Sequence, residues 1–157
     1  MTKPIPEGYH TITPMFVLKN SRKAIEFYKK AFGATEKHVM PGPDGKGVMH
    51  AEIKIGDSTI MLGDENPECT NKSAETMGGS PISLYLYVKD VDAAFQRAVS
   101  AGGTSRMPVQ DMFWGDRVGS LQDPFGYSWT LATHVADVSP EEMARGAEAM
   151  FAGAGKQ

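Results

Sequence analysis

The chain has 157 residues, 41% of them hydrophobic and 22% charged, with 16 Lys and Arg against 19 Asp and Glu and a single cysteine. One globular domain, or two small halves sharing a core, fits that length, and burial at this size suffices to fold it without a metal or crosslink. A lone thiol excludes an internal disulfide, a formal net charge of -3 with scattered basic residues argues against nucleic acid, and no apolar run or leader pattern points to a membrane, so a cytoplasmic protein is expected.

The first ten residues are polar and broken by Pro and Gly, an arm leading into a strand expected over 11–18. There Ile12, Phe16 and Leu18 fall on one face, and Thr11, Thr13 and Met15 on the other. Asn20 and Ser21 are cap-type residues, after which Ala24, Ile25, Phe27, Tyr28, Ala31 and Phe32 recur at helical spacing until Gly33 closes the stripe. A short strand follows over 35–40, then the turn PGPDGKG (41–47), then strands over 48–55 and 58–62 joined at Gly56 and Asp57. The first module spans 10–63.

Residues 64–81 are polar and turn-rich, a surface linker that marks the module boundary. The order then repeats over 82–134. Ile82, Leu84, Leu86 and Val88 alternate with Ser83, Tyr85 and Tyr87, Asp90 caps a helix, and strands over 118–122 and 128–133 flank the turn DPFG (123–126). Placing Asn20 on Asp90 superposes Ala24 on Ala94, Ile25 on Phe95 and Gly33 on Gly103 at one offset, the mark of an internal duplication. Ser139, Pro140 and Glu142 then start a last helix over 139–151.

Two βαβββ modules, FYKKAFGA (27–34), MHAEIKIGDSTIML (49–62) and FWGDRVGSLQDPFGYSW (113–129) together resemble the vicinal oxygen chelate superfamily of glyoxalases, bleomycin-resistance proteins and extradiol dioxygenases, in particular its PhnB-like branch. The resemblance implies an α+β fold of paired modules around a concave cavity, and a homodimer. It also implies a divalent metal on four side chains, which by register fall on Thr13, Met61, Ser83 and Thr130. Hydroxyls and a thioether are poor ligands for such an ion, so the expectation is that the usual metal site is missing.

Strand periodicity gives a separate view of the cavity. The apolar alternate set should face the helices, which leaves Thr11, Thr13, Met15, His50, Glu52, Thr59, Met61, Ser83, Tyr85, Tyr87, Ser128 and Thr130 for the concave side. Hydroxyls, thioethers and phenols with one imidazole and one carboxylate suit a small organic ligand. His50 and Glu52 are the ionisable pair of that set, fit for an oriented base, for two metal ligands, or for a hydrogen-bonded pair at the rim. His10 and His134 join His50 only if the termini fold inward.

The stretch RMPVQDMFWGDR (106–117) reads as an irregular flap, with Trp114 stacking on a planar ligand or packing on the protein, and with Asp116 and Arg117 tying it across modules. Cys69 lies in the linker without a basic neighbour and is not a nucleophile candidate. Two functional readings stand. One is a metal-independent small-molecule-binding protein using Thr13, Met15, His50, Glu52, Met61, Ser83, Tyr85, Trp114 and Thr130, with no cofactor. The other is a metal-dependent lyase, isomerase or dioxygenase built on His50 and Glu52. An interaction module with a vestigial cavity is a third.

Overall fold

The computed structural model describes residues 2–154. The chain runs through β1 (Met15–Leu18), α1 (Ser21–Phe32), β2 (Thr35–Pro41), β3 (Val48–Ile55), β4 (Ser58–Asp64), α2 (Ala74–Met77), β5 (Ser83–Tyr87), α3 (Val91–Ser100), β6 (Thr104–Asp111), β7 (Asp116–Gln122), β8 (Ser128–His134) and α4 (Pro140–Ala154). The strands form two sheets of the same order, β1-β4-β3-β2 and β5-β8-β7-β6. In each, the first strand lies parallel to the last and the other pairs are antiparallel. The duplication read from the helix caps is therefore a duplication of topology, and the fold is α+β with paired βαβββ modules and a C-terminal helix.

The helix starts follow from single side chains. Asn20 accepts from the Lys23 amide and Asp90 from the Ala93 amide, each at 3.0 Å, which satisfies an orphan donor of the first turn. Gly33 ends α1 at φ 68°, a left-handed conformation that costs a glycine little. At α4, Ser139 Oγ accepts from the Glu142 amide at 3.2 Å while the Glu142 carboxylate accepts from the Ser139 amide at 2.9 Å, a reciprocal capping box.

Helices α1 and α3 pack against the sheets and against each other, and the core is continuous across the modules. Phe16 of β1 stacks on Tyr127 at 4.4 Å between ring centroids, and Phe32 of α1 meets Trp129 of β8 at 4.5 Å. Polar bonds cross the same seam. Tyr127 Oη donates to the Val17 carbonyl at 2.8 Å, Arg97 Nε to the Ala31 carbonyl at 3.0 Å, and Tyr28 Oη to the Asp123 carboxylate at 2.8 Å. Two half-covered sheets thus share one interior.

Several expectations are corrected. The first strand starts at Met15 rather than at 11, because Pro14 has no amide to give the ladder, so Thr13 stays in the arm. Ile12, expected in the core, is 84% exposed. The stretch 106–117 is not a long irregular flap. It continues as strand β6, with two shifts of register against β7, and only the turn from Met112 to Gly115 remains outside. Pro108 is tolerated there because β6 is the sheet's outer edge. Arg117 does not reach across modules. It holds Asp92 at 2.8 Å and Asp111 at 3.1 Å, both in its own half.

The linker begins after Asp64 and carries α2, whose cap Ser73 is buried and bonded to Glu65 at 2.7 Å. The last helix runs on to Ala154 instead of stopping at Phe151. Among the described residues no helix is long and apolar enough to cross a membrane.

Candidate functional site

The sheet edges β1 and β5 flank a cleft of about 500 Å³ at the seam between the modules. Its walls include Ile12, Met15, Ile82, Leu84, Tyr85 and Tyr127, with His10 and a few serine and threonine hydroxyls as polar points. Among the described residues no aspartate, glutamate, lysine or arginine lines it. β1 and β5 belong to separate sheets and do not hydrogen-bond to each other, which leaves the seam to side chains.

On either side of the cleft the inner face of a sheet carries a carboxylate held by phenol and imidazole. In the first module Glu52 of β3 accepts from the Tyr9 hydroxyl of the arm and lies 3.2 Å from His50 Nε2, with Lys37 Nζ at 3.8 Å and 4.4 Å from the centre of the Tyr9 ring. The Tyr9 bond, then His50 and Lys37, hold the Glu52 carboxyl below its usual range against the opposing effect of burial. Thr59 Oγ1 donates to the Gly8 carbonyl at 2.8 Å, so the arm is strapped over this face at two points.

In the second module Asp116, 4% exposed at the head of β7, accepts from Tyr85 Oη at 3.2 Å, Tyr87 Oη at 3.1 Å and His134 Nδ1 at 2.8 Å. His134 Nε2 meets Asp137 at 3.1 Å. Burial pushes the Asp116 carboxyl up, but the bonds from His134, Tyr87 and Tyr85 outweigh it and hold it low. The Asp116 bond, then Asp137, raise His134.

These shifts set a pH window. Stability from Asp116 is present above its unfolded value of 3.8 and lost as pH falls through its folded one, whereas that from His134 is present below 6.5 and lost as pH rises through its folded value. Both contributions are therefore complete between pH 3.8 and 6.5. An NMR titration should show His134 keeping its proton above pH 6.5, with Asp116→Asn lowering that midpoint more than Asp137→Asn does. Equal effects from the two variants would contradict the order of causes.

Of the residues singled out in the sequence, Met15, Ser83 and Tyr85 line the cleft. Met61 lies beside Met15 and Thr130 beside Tyr85 in the parallel ladders, on the inner faces next to it. Thr13 turns its hydroxyl to the His10 carbonyl at 3.1 Å. His50 and Glu52 do meet, but as part of the strap of the arm rather than in the cleft wall. Trp114 packs edge-on to Phe113, with ring centres 5.0 Å apart. His10 reaches the cleft rim and His134 the opposite sheet, so neither joins His50.

Sequence reasoning missed Asp116 and His134 as a unit. A signal was there: counting six residues outward from the Gln122–Ser128 pair that closes the DPFG turn reaches Asp116 and His134, which the ladder sets opposite each other.

The side chains at the four inferred ligand positions are two threonine hydroxyls, a serine hydroxyl and a thioether, and among the described residues no three His, Cys, Asp or Glu side chains are grouped to hold an ion. They do not fit a resident divalent metal.

Comparison with known proteins places this architecture. A family model described as the Glyoxalase/Bleomycin resistance protein/Dioxygenase superfamily matches residues 10–131. An uncharacterized protein of Mycobacterium bovis is 44% identical over 135 residues, covering 84% of this chain and 88% of that one. The crystal structure of an Arabidopsis thaliana gene product, At5g48480, superposes with a TM-score of 0.63 at 27% identity, over 78% of this chain and 98% of that one. A PhnB protein of Bacillus cereus, described as a putative 3-demethylubiquinone-9 3-methyltransferase, superposes at 0.60 with 20% identity, over 79% and 99%. With the family model spanning most of both modules and the same paired sheets recurring in these structures, the chain belongs to the glyoxalase/bleomycin resistance protein/dioxygenase superfamily.

Proposed function

We propose that this chain is a metal-independent binding protein for a small organic molecule, which it holds in the cleft between β1 and β5. The observation that carries the reading is the composition of that cleft: about 500 Å³, walled mainly by Ile, Leu, Met and aromatic side chains, with hydroxyls and one imidazole and without a lining carboxylate or ammonium. Such a wall rewards burial of an apolar body and offers a few polar contacts for orientation. The hydroxyl and thioether side chains at Thr13, Met61, Ser83 and Thr130 support the metal-free part of the reading. A homodimer belongs to it as well, since Met150 and Phe151 of α4, 56% and 73% exposed, leave an apolar side for a second copy to cover.

N-phenylnaphthylamine, a neutral apolar fluorophore, tests the reading. Its emission should rise saturably with one site per chain, unchanged after exhaustive chelation. Ile82→Glu alters a cleft residue that is 68% exposed, so the fold should stand while affinity drops about tenfold or more, the cost of an apolar contact replaced by a charge. Binding that vanishes on chelation and returns with manganese would transfer the case to a metal-dependent enzyme. A linear, unsaturable signal would end the cleft reading.

A further inference from the structure

Next to the cleft, the inner face of the second sheet has an unusual hydrogen-bond balance. Tyr85 and Tyr87 stand side by side on β5, ring centres 5.2 Å apart and 47% and 63% exposed. Both hydroxyl hydrogens are committed inward to Asp116 Oδ2. Both nitrogens of His134 face carboxylates, Nδ1 to Asp116 and Nε2 to Asp137, so each donates.

Every donor in the group is thus spent on a neighbour. What remains for a ligand is acceptor and π surface: the lone pairs of Tyr87 Oη, the fully exposed Asp137 carboxylate and the tyrosine ring faces. The charges agree. Asp116 and Asp137 contribute two negative groups against one imidazolium, so the face repels carboxylates and phosphates and attracts cations. A carboxylate on the exposed loop 135–139 forms a weak ion pair with His134, which leaves it free to turn to another cation at little cost. Tyr85 also forms part of the cleft wall, which makes the cation-seeking face and the apolar cleft one continuous surface.

We propose that Tyr85, Tyr87 and Asp137, arranged around the Asp116–His134 pair, receive the ammonium head of an amphipathic organic amine whose apolar body lies in the adjoining cleft. The assignment rests on the cleft as the binding site and adds the chemical class of its occupant. The ammonium gains the ring faces by cation–π attraction and the Asp137 carboxylate by direct pairing. Asp116 is the positioning residue, since it touches no ligand but turns both phenols and the imidazole.

Calorimetric titration of the full chain with naphthylmethylamine, naphthylmethanol and naphthoate tests this. The three share one apolar body and differ in the charge of the head. The amine should bind about tenfold more tightly than the alcohol, the worth of a well-placed cation over aromatic rings, and the carboxylate least. Asp137→Asn and Tyr87→Leu, both at exposed positions, should each cut the preference for the amine about threefold or more and leave the alcohol unchanged. Equal binding of all three, with both variants silent, overturns the amine assignment and leaves the cleft standing. If none of the three binds at millimolar concentration, the assignment and the cleft reading fall together.

Discussion

Asp123→Ala should destabilise the protein by about 3–5 kcal/mol, the scale for leaving several buried donors without their common acceptor. The Asp123 carboxylate is buried beneath the DPFG turn and takes four hydrogen bonds: from Tyr28 Oη at 2.8 Å, Trp129 Nε1 at 2.9 Å, and the Phe125 and Tyr127 amides at 2.9 Å each. Two of these donors shape the turn, one lies in β8, and one comes from α1 in the other module. Alanine would strand all four away from water, which is the expensive way to lose a hydrogen bond.

Urea denaturation followed by tryptophan emission measures the loss, and a change below about 1 kcal/mol would mean that the seam does not depend on this carboxylate. Asp123→Asn should cost less, since its carbonyl still accepts while its amide faces donors. Burial raises the Asp123 carboxyl above 3.8, against the bonds from Trp129 and Tyr28. Its contribution is then fullest below the unfolded value and declines as pH rises through the folded one, so the gap between wild type and Asp123→Ala should narrow from acid toward neutral pH.

Gly115→Ala should cost about 2–3 kcal/mol and loosen the C-terminal tail. Gly115 has φ 92°, and a Cβ there would overlap the Ala136 carbonyl oxygen and come within 3.0 Å of Val138 Cγ2. The tail is anchored at this spot, because the Val135 and Ala136 amides both donate to the Gly115 carbonyl, at 2.9 and 3.0 Å. From there α4 crosses the turn with Gly146 pressed against the Phe113 ring. Gly56→Ala supplies the control. It too has a positive φ, of 58°, but nothing lies within 4 Å of the added carbon, so its cost should stay near 1 kcal/mol. Limited proteolysis in the segment 135–139 should accelerate for Gly115→Ala alone. Equal loss in the two variants would reduce the effect to backbone conformation and remove the clash from the account.

The pattern of what could be read in advance follows the range of the interactions involved. Caps, helix stripes and the repeat depend on residues a few positions apart, and Asn20, Gly33, Asp90 and Ser139 act as their chemistry requires. Strand alternation also sorted the faces of β3, β4 and β8 correctly, with Ile53, Ile60, Leu62, Trp129 and Leu131 buried. It failed at Ile12, where an apolar side chain sits beyond the ladder because Pro14 interrupts it. It failed again at β6, whose bulged register gives an edge strand the look of a loop.

The site was harder. Met15, Ser83 and Tyr85 were legible as inward-facing residues, but nothing local shows that β1 and β5 end on either side of one cleft. His50 and Glu52 could be paired from their spacing on one strand, whereas the third partner, Tyr9, lies 43 residues from Glu52 and arrives only when the arm folds across the sheet. Asp116 and Arg117 looked like charges that together tie the flap across modules, yet neighbours on a strand point to opposite faces, and the two ended in different environments.

By itself the sequence determined the repeated order of strands and helix apart from β6, its caps and turns, the family, and the scarcity of metal-binding side chains at the inferred positions. Each of these is written in residue type and short spacing. Only the tertiary structure decided which inner faces adjoin, where the cleft opens, and that Tyr85, Tyr87, Asp116 and His134 form one group. Those contacts join residues far apart in the chain, and their geometry depends on how two separately hydrogen-bonded sheets settle against a shared aromatic core.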